Sequence, residues 1–248
     1  MEVGFKTDKG RRRSNNEDAC YVIPKKNIFI IADGVGGSNS GEIASRTAVM
    51  EVADFVDKNE LTDTATEADI RNYLIKGINS ANKAILESSE RFEQNKGMAT
   101  TMVVTYVSKG KAYICNIGDS RAYLYRGDKL IQITEDHTYV NSLLKAGVIT
   151  GKEAKKHEKK NMITRAVGAE EKIDVDFFVT PVSSEDIIIM CTDGLYGEVD
   201  ERDMRRMISR RKTMGDLCCD FIEMANDNGG GDNITVICLK ISEDDLDE

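Results

Sequence analysis

The order of the predicted elements constrains the fold of this chain more than any other feature of its sequence. Apolar patterns typical of strands are followed by two amphipathic helices, a block of strands, two further helices and a last strand. Regular alternation of strand and helix would predict a parallel sheet, and this order does not alternate. The sequence therefore predicts an α+β fold with antiparallel sheets flanked by pairs of helices.

The boundaries of these elements follow from the apolar period and the turn residues. Helices are predicted over residues 42–56, 66–92, 201–209 and 214–226, and strands over residues 1–6, 19–23, 28–32, 101–107, 111–117, 121–125, 129–133, 172–180, 186–191 and 234–241. Short turns at 108–110 and 126–128 predict that the four strands from 101 to 133 form an antiparallel meander. The polar segment 138–160 is predicted to be an inserted helical flap.

Length, charge and cysteine content limit the class of protein. A chain of 248 residues predicts one domain, here residues 1–241, and the acidic tail 242–248 is predicted to be disordered. The net charge of -9 argues against binding to nucleic acid or to anionic lipid. No apolar run is long enough to span a bilayer, so we expect a cytoplasmic protein. Its six cysteines are expected to be reduced.

Four aspartates each lie at the end of a predicted strand. Ile28–Ala32 is followed by Asp33-Gly34, and the same pattern ends in Asp193-Gly194. A looser form ends at Asp119, and a mirrored form places Asp232 just before the last strand. An acid followed by glycine predicts a turn at the rim of a sheet. We therefore expect the four carboxylates to converge on metal ions.

Hard cations such as Mn²⁺ or Mg²⁺ prefer carboxylate and carbonyl oxygens, and the chemistry of such a site can be stated. Two ions about 4 Å apart can share a water and lower its pKa, which suits in-line attack on phosphorus. A guanidinium fits the phosphate oxygens, and Arg13, just before Glu17 and Asp18, is the nearby candidate.

Each of these features also has an ordinary structural interpretation. A single Asp-Gly pair after a strand is usually only a turn, and the run Arg11–Arg13 is typical of a solvated surface. Glu17-Asp18 is compatible with a simple loop. His137 is expected to be structural, and His157 is expected to be exposed in the flap.

A rival motif predicts a different phosphatase chemistry. Cys115 and Arg121 form a C-x5-R pattern, typical of enzymes in which a thiolate attacks phosphate. Ile114 stands where those enzymes carry histidine, and a strand pattern follows Arg121 where they begin a helix. Asp119 would also place a negative charge inside the anion loop.

With these residues in view, the chain resembles the metal-dependent protein phosphatase family, type 2C, and especially its compact bacterial branch. The resemblance runs nearly end to end and rests on an ordered set of motifs: RSNNED at 13–18, DGVGG at 33–37, GMATT at 97–101, NIGDSRAYL at 116–124, EDHT at 135–138, TRAVG at 164–168, CTDGLY at 191–196 and GGDNITV at 230–236.

The resemblance implies a four-layer sandwich and a set of residue roles. Asp33 should bridge two metals, the Gly34 carbonyl should ligate one of them, and Asp193 and Asp232 should complete the pair. Asp119 with Asp193 resembles the ligand set of a third metal, so two or three Mn²⁺ or Mg²⁺ ions per chain are implied.

The remaining implied roles surround these metal ligands. Glu17 and Asp18 should act in or just behind the ligand shell, Arg13 should hold phosphate, and 138–160 should be the flap beside the site. Val35 stands where animal members carry a histidine proposed as general acid, so a metal-bound water or another group would protonate the leaving group.

The resemblance implies hydrolysis of phosphoserine and phosphothreonine by water, without a phosphoenzyme. We expect phosphorylated protein substrates, a Ser/Thr kinase whose action is reversed, and a monomer. Three alternatives stay open: a cysteine-dependent phosphatase that uses Cys115, a pseudophosphatase that binds phosphoproteins without turnover, and an anti-sigma-pathway regulator of similar fold.

Overall fold

The structure is a computed structural model that describes residues 1–36, 40–210 and 212–246. Its strands are β1 (Glu2–Asp8), β2 (Asp18–Ile23), β3 (Ile28–Val35), β4 (Ala99–Thr100), β5 (Met102–Ser108), β6 (Lys111–Ile117), β7 (Arg121–Arg126), β8 (Lys129–Gln132), β9 (Asp176–Pro181), β10 (Ile187–Cys191) and β11 (Ile234–Lys240). Its helices are α1 (Ser40–Lys58), α2 (Glu67–Arg91), α3 (Tyr139–Lys145), α4 (Gly151–Ala154), α5 (Asp193–Tyr196), α6 (Glu201–Ile208) and α7 (Met214–Asp227).

The strands form two antiparallel sheets. Sheet I has the order β1-β11-β10-β7-β8, and sheet II has the order β2-β3-β5-β6-β9, with β4 added beside β3. Every strand pair among the described residues is antiparallel. The predicted α+β class with two antiparallel sheets is confirmed.

Three apolar layers hold these elements together. Between the sheets, Phe29 and Ile31 of β3 belong to the same buried cluster as Met190 of β10 and Leu239 of β11. A second cluster lies between sheet II and helices α1 and α2, and a third lies between sheet I and helices α6 and α7. The order of layers is therefore helices, sheet II, sheet I and helices.

The helices begin and end where local chemistry allows. α2 starts with a capping box, in which Thr66 and Asp69 each accept a hydrogen bond from the other's backbone N–H. α1 begins at Ser40, so Ser40 and Gly41 of the loop predicted over 38–41 are helical, and positions 38 and 39 lie outside the described residues. Across the described chain, every helix is too short or too polar to cross a membrane.

The predicted meander over 101–133 is wrong in one respect. β5 and β6 belong to sheet II, whereas β7 and β8 belong to sheet I. The chain changes sheets between Ile117 and Arg121, where Gly118 has a φ of +102° that favours glycine. Sequence period alone does not reveal this crossing, because strands in the two sheets alternate in the same way.

The prediction of a disordered tail is wrong for residues 242–246. Asp244–Leu246 forms a 3-10 helix, and Asp245 is buried. The Met1 amino group donates to Asp245 Oδ1 at 2.9 Å, and the Ser242 hydroxyl donates to Oδ2 at 2.6 Å. The acidic composition suggested disorder because this long-range partner cannot be read from the sequence. Residues 247 and 248 lie outside the described part.

Candidate active site

Asp18 and Asp33 lie directly opposite each other on the paired strands β2 and β3. Opposite residues of an antiparallel pair point to the same face. Asp18 Oδ2 accepts hydrogen bonds from the hydroxyls of Thr192, at 2.9 Å, and Thr235, at 2.7 Å; Thr192 directly follows β10 and Thr235 lies in β11, both strands of sheet I. Asp18 therefore joins the two sheets at one end of the sandwich, and its Oδ1 is buried without a hydrogen-bond partner.

The turn predicted at Asp33-Gly34 is wrong, because β3 continues to Val35 and pairs there with β4. Glycine is needed at position 34 for close approach to α1: a Cβ atom would lie 2.0 Å from the carbonyl oxygen of Gly41. The Gly34 carbonyl itself lies against Gly41, and the Gly34 N–H donates to the carbonyl of Glu17 at 3.1 Å.

Thr101 fixes the backbone of Asp33 from the neighbouring strand region. The Asp33 N–H donates to Thr101 Oγ1 at 3.0 Å, and the Thr101 N–H donates to the Asp33 carbonyl at 2.9 Å. Thr101 Oγ1 also lies 2.7 Å from Ser120 Oγ in the crossing loop. Strand β3, which carries Asp33, is thereby connected to the loop that carries Asp119.

Asp193 and Asp232 come from the ends of neighbouring strands of sheet I. Asp193 is the first residue of α5 and lies two residues after the end of β10, and Asp232 lies two residues before β11. The two segments touch, since a Cβ atom on Gly194 would lie 2.0 Å from the Asn233 carbonyl oxygen. In addition to burial, the charge of Asp193 raises the pKa of the Asp33 carboxyl in sheet II.

Asp119 is held in the crossing loop by contacts on both sides. The Tyr196 hydroxyl donates to the Asp119 carbonyl at 3.0 Å. On the other side His137 holds Gly118 twice, because its N–H donates to the Gly118 carbonyl at 2.9 Å and its Nδ1 accepts from the Gly118 N–H at 3.1 Å. His137 is 7% exposed, which agrees with its predicted structural role.

The acidic side chains raise one another's pKa. Burial raises the pKa of Asp18 to about 7, against the opposing hydrogen bonds from Thr235 and Thr192. Burial and the charge of Asp193 raise the pKa of Asp119 to about 7.

The other two acids show the same direction. Burial and the charge of Asp232 raise the pKa of Asp193 to about 6, although Asp33 and Arg13 act in the opposite direction. Burial, followed by the charges of the other four aspartates, raises the pKa of Asp33 well above its usual value. The site therefore holds excess negative charge.

These residues fit hard divalent cations. Asp18 Oδ1 and Asp193 Oδ1 are buried polar atoms without a hydrogen-bond partner, and such atoms are rare unless an ion or water binds them. In residues 1–36, 40–210 and 212–246, no three His, Cys, Asp or Glu side chains are close enough to enclose an ion by themselves. Cations such as Mg²⁺ need only one or two carboxylates, because they keep several water ligands.

Arg13 and Glu17 lie at the edge of this site. Arg13 Nη2 donates to Asp232 Oδ2 at 2.6 Å, and the Arg13 side chain is half exposed. The Glu17 N–H donates to Asn233 Oδ1 at 2.8 Å, and the Glu17 carbonyl accepts from Ser45 Oγ at 2.5 Å. The Glu17 carboxyl carbon would lie 3.0 Å from a Cβ atom on Gly41.

Sequence reasoning missed the residues that position these acids. Asn233 donates to the carbonyls of Lys9, at 2.9 Å, and Asn15, at 2.8 Å, so it fastens the Arg13 loop beside Asp232. Thr192 and Thr235 hold Asp18 in the same way. Their motifs, CTDGLY and GGDNITV, were the available signal, but no pattern showed which side chains these residues would contact.

The structure argues against the C-x5-R interpretation. Cys115 is fully buried in the core beneath α1 and α2, and burial raises the pKa of its thiol to about 12. Arg121 donates from Nε and Nη2 to the two carboxylate oxygens of Asp136, at 2.9 and 2.6 Å. Its guanidinium carbon also lies 3.6 Å from the centre of the Tyr196 ring. Neither residue is available to phosphate.

The chain also matches known proteins over nearly its full length. The family model described as protein phosphatase 2C matches residues 7–230. A relative named serine/threonine phosphatase stp, from Listeria innocua, is 39% identical over 97% of this chain and 96% of its own length.

Two solved structures show the same fold. The S. agalactiae serine/threonine phosphatase has a TM-score of 0.89 and 33% identity, and the match covers 97% of this chain and 99% of that one. The catalytic domain of the phosphatase PstP, solved in complex with two manganese ions, has a TM-score of 0.86 and 28% identity, with coverage of 97% and 98%.

A sandwich of two antiparallel sheets with aspartates at one end fits a hydrolase for phosphate esters that uses bound metal ions. The chain belongs to the protein phosphatase 2C family. The predicted family and enzyme class are confirmed.

Proposed function

We propose that this protein hydrolyses phosphoserine and phosphothreonine in proteins, and that Mn²⁺ or Mg²⁺ bound by the aspartate cluster is required. The observation that carries this proposal is the pair of buried, unpartnered carboxylate oxygens on Asp18 and Asp193. They lie among acids whose charges are unbalanced. The manganese-bound relative supports the choice of metal.

Each aspartate has a distinct place in the proposed centre. Asp33, on β3 of sheet II, would hold two ions together with Asp193, Asp232 and the Gly34 carbonyl. Asp119 with Asp193 would hold a third ion, and Glu17 and Asp18 would act through water. When bound, the ions activate a water molecule and polarise the phosphate oxygens.

Arg13 supplies the positive charge that binds the phosphate group. In the structure its guanidinium is bound to Asp232, 2.6 Å from Oδ2. Once Asp232 is neutralised, a dianionic phosphate competes for the same guanidinium, since phosphate matches the guanidinium fork. Arg13 thereby places the phosphorus atom next to the aspartate cluster.

Among the described residues, the Cys115 thiol is buried in the core away from this site, so water attacks phosphorus and the serine or threonine oxygen leaves. His137 is not the acid that protonates it, because its Nδ1 accepts from Gly118 and its Nε2 lies 3.1 Å from Asp176 Oδ2. Val35, at the end of β3, has no ionisable group that could donate a proton. The leaving group therefore takes its proton from a water or from another group.

The setting of the enzyme is part of the same proposal. All six cysteines are free thiols, which suits a reducing compartment and supports a cytoplasmic location. The net charge of -9 disfavours self-association and supports a monomer. The substrates would be targets of a Ser/Thr kinase, or the kinase itself.

Hydrolysis of a phosphothreonine peptide, with Mn²⁺ and then with excess EDTA, tests this function. We expect activity that requires Mn²⁺ and is abolished by EDTA. Asp193→Ala should be inactive and Cys115→Ser fully active. Activity that survives EDTA and is lost in Cys115→Ser would contradict the proposal. If the protein shows no hydrolysis but still binds the phosphopeptide, it is a pseudophosphatase.

A further inference from the structure

The flap carries a dense group of positive side chains in an acidic protein. Within residues 152–160 there are five lysines, Lys152, Lys155, Lys156, Lys159 and Lys160, and only two acids. One of those acids, Glu153, is engaged in a capping box with Thr150 at the start of α4. We call these five side chains the flap lysines.

The flap lysines are not neutralised by the protein. All five are exposed. The ion pairs found among the described residues include none of them, although Lys145 on α3 pairs with Glu135. Lys159 Nζ lies 5.4 Å from the centre of the Tyr139 ring, which orients that ammonium on the flap.

The base of the flap is attached to the loop that carries Asp119. Thr138 and Ile163 form an isolated bridge that closes the flap. The adjacent Thr164 N–H donates to the His137 carbonyl at 2.8 Å, and the His137 N–H donates to the Gly118 carbonyl at 2.9 Å. The two ends of the segment that carries the flap lysines are therefore joined, through His137, to the loop that carries Asp119.

A second positive edge borders the same site. Arg11 and Arg12 are exposed beside Arg13, and both of their backbone N–H groups donate to the Gly230 carbonyl near Asp232. Positive edges around an acidic centre would attract an anionic polypeptide to the rim while the centre takes up cations.

We propose that the flap lysines bind acidic residues that flank the phosphorylated serine or threonine, and so select acidic phosphosites. This rests on the proposed function, because it concerns the substrate of that site. Attraction between exposed charges is weak for one pair but accumulates over a cluster, and it acts on substrate capture rather than on the chemical step. The negatively charged polypeptide that must approach the active site of a protein phosphatase is its phosphoprotein substrate, so we assign the flap lysines to the substrate.

The test compares two variants with the same change in net charge. The flap variant carries Lys155→Gln, Lys156→Gln, Lys159→Gln and Lys160→Gln. The control variant carries Lys58→Gln, Lys76→Gln, Lys83→Gln and Lys96→Gln, which replace lysines that are also exposed and lie on α1, on α2 and in the segment that follows α2. Substrates are a phosphothreonine peptide flanked by Asp and Glu, the same peptide flanked by Ala, and p-nitrophenyl phosphate.

We expect the flap variant to lose about tenfold in kcat/KM for the acidic peptide, mainly through KM, since several weak charge pairs are removed. Its rates on the Ala-flanked peptide and on p-nitrophenyl phosphate should match those of the wild type. The control variant should match the wild type on all three substrates. Raising NaCl should erase the preference of the wild type for the acidic peptide.

Equal losses on both peptides, or the same loss in the control variant, would overturn the docking proposal. Binding of the two peptides to the protein in EDTA, followed by fluorescence anisotropy, needs no turnover and separates the two proposals. A wild-type protein that is inactive but prefers the acidic peptide would contradict only the proposed function. Equal binding of both peptides, with loss of binding to anionic vesicles in the flap variant, would assign the lysines to a membrane surface instead.

Discussion

Single residues connect the two sheets at the site, and buried Asp18 is one of them. Its Oδ2 accepts from Thr235 in the opposite sheet and from Thr192, just after β10 of that sheet, while its Oδ1 has no hydrogen-bond partner. A buried, partly satisfied carboxylate is costly when it is ionised. Asp18 therefore contributes to the site at the expense of the stability of the metal-free protein.

Asp18→Asn should raise the Tm of the metal-free protein at pH 8 and lower its activity. The amide oxygen can still accept from both threonine hydroxyls, and the buried charge is gone. Loss of a group that orients the ligand shell costs about tenfold or more in turnover. Thermal unfolding in EDTA and peptide hydrolysis with Mn²⁺ measure the two effects. A lower Tm together with unchanged activity would contradict this role.

His137 is expected to position Asp119 through its contact with Gly118. An asparagine places an oxygen near the position of Nδ1, whereas a glutamine places its polar group near Nε2. His137→Gln should therefore need more Mn²⁺ for half-maximal activity than His137→Asn does. Manganese titrations of both variants, with unfolding curves as a check on the fold, measure this order. The reverse order would show that the contact with Asp176 matters more.

The site residues could be predicted only in part. Asp33, Asp119, Asp193 and Asp232 were proposed as ligands because each follows or precedes an apolar run, which is a local pattern. Asn233 was not assigned a role, because its contacts are with the carbonyls of Lys9 and Asn15, more than two hundred residues away in the chain. Positioning contacts of that kind leave no period in the sequence.

At the level of elements, the close approach of β3 to α1 shapes the site. The Gly34 N–H donates to Glu17, and the Gly34 carbonyl lies against Gly41 at the start of α1. Any side chain at position 34 would push the strand and the helix apart. The Asp33 carboxylate would move with them.

Gly34→Ala should destabilise the protein by about 2 kcal/mol or more, because overpacking against backbone cannot be relieved by a rotamer change. Gly151→Ala is the matched control, since a Cβ atom there meets nothing within 4 Å and the residue lies in α4. It should be neutral or slightly stabilising. Urea unfolding of both variants measures these changes in the free energy of unfolding. Equal stabilities of the two variants would contradict the close approach of β3 to α1.

The sequence predicted the bounds of helices and strands better than it predicted which elements contact one another. The stripes of α2 and α7 and the strands β5 to β8 fell close to their observed bounds, because period and caps are local. The crossing between sheets at Gly118 and the ordered turn at Asp244–Leu246 were missed. Both depend on contacts between distant parts of the chain, such as Met1 with Asp245.

For the whole molecule, unbalanced charge at the site predicts how stability depends on pH. The pKa of Asp18 and of Asp119 rises from 3.8 to about 7 in the folded chain. Between these values the folded state binds more protons than the unfolded state, so the free energy of unfolding falls as pH rises.

The metal-free protein should therefore have a higher Tm at pH 5 than at pH 8. Saturating Mn²⁺ should remove or reverse this difference, because bound cations favour the ionised carboxylates. Asp18→Asn should show a shallower slope in EDTA. Thermal unfolding across this pH range measures each case, and a metal-free Tm that rises toward pH 8 would contradict the assigned direction.

The central claim is that the aspartates at the ends of the two sheets form one metal centre. The most direct test counts manganese bound per chain, by equilibrium dialysis, in the wild-type protein and in Asp33→Asn. We predict that the wild-type protein binds at least two manganese ions per chain. Asp33→Asn should stay folded, bind fewer ions and lose phosphatase activity. A folded Asp33→Asn protein that binds as much manganese as the wild type would contradict the account.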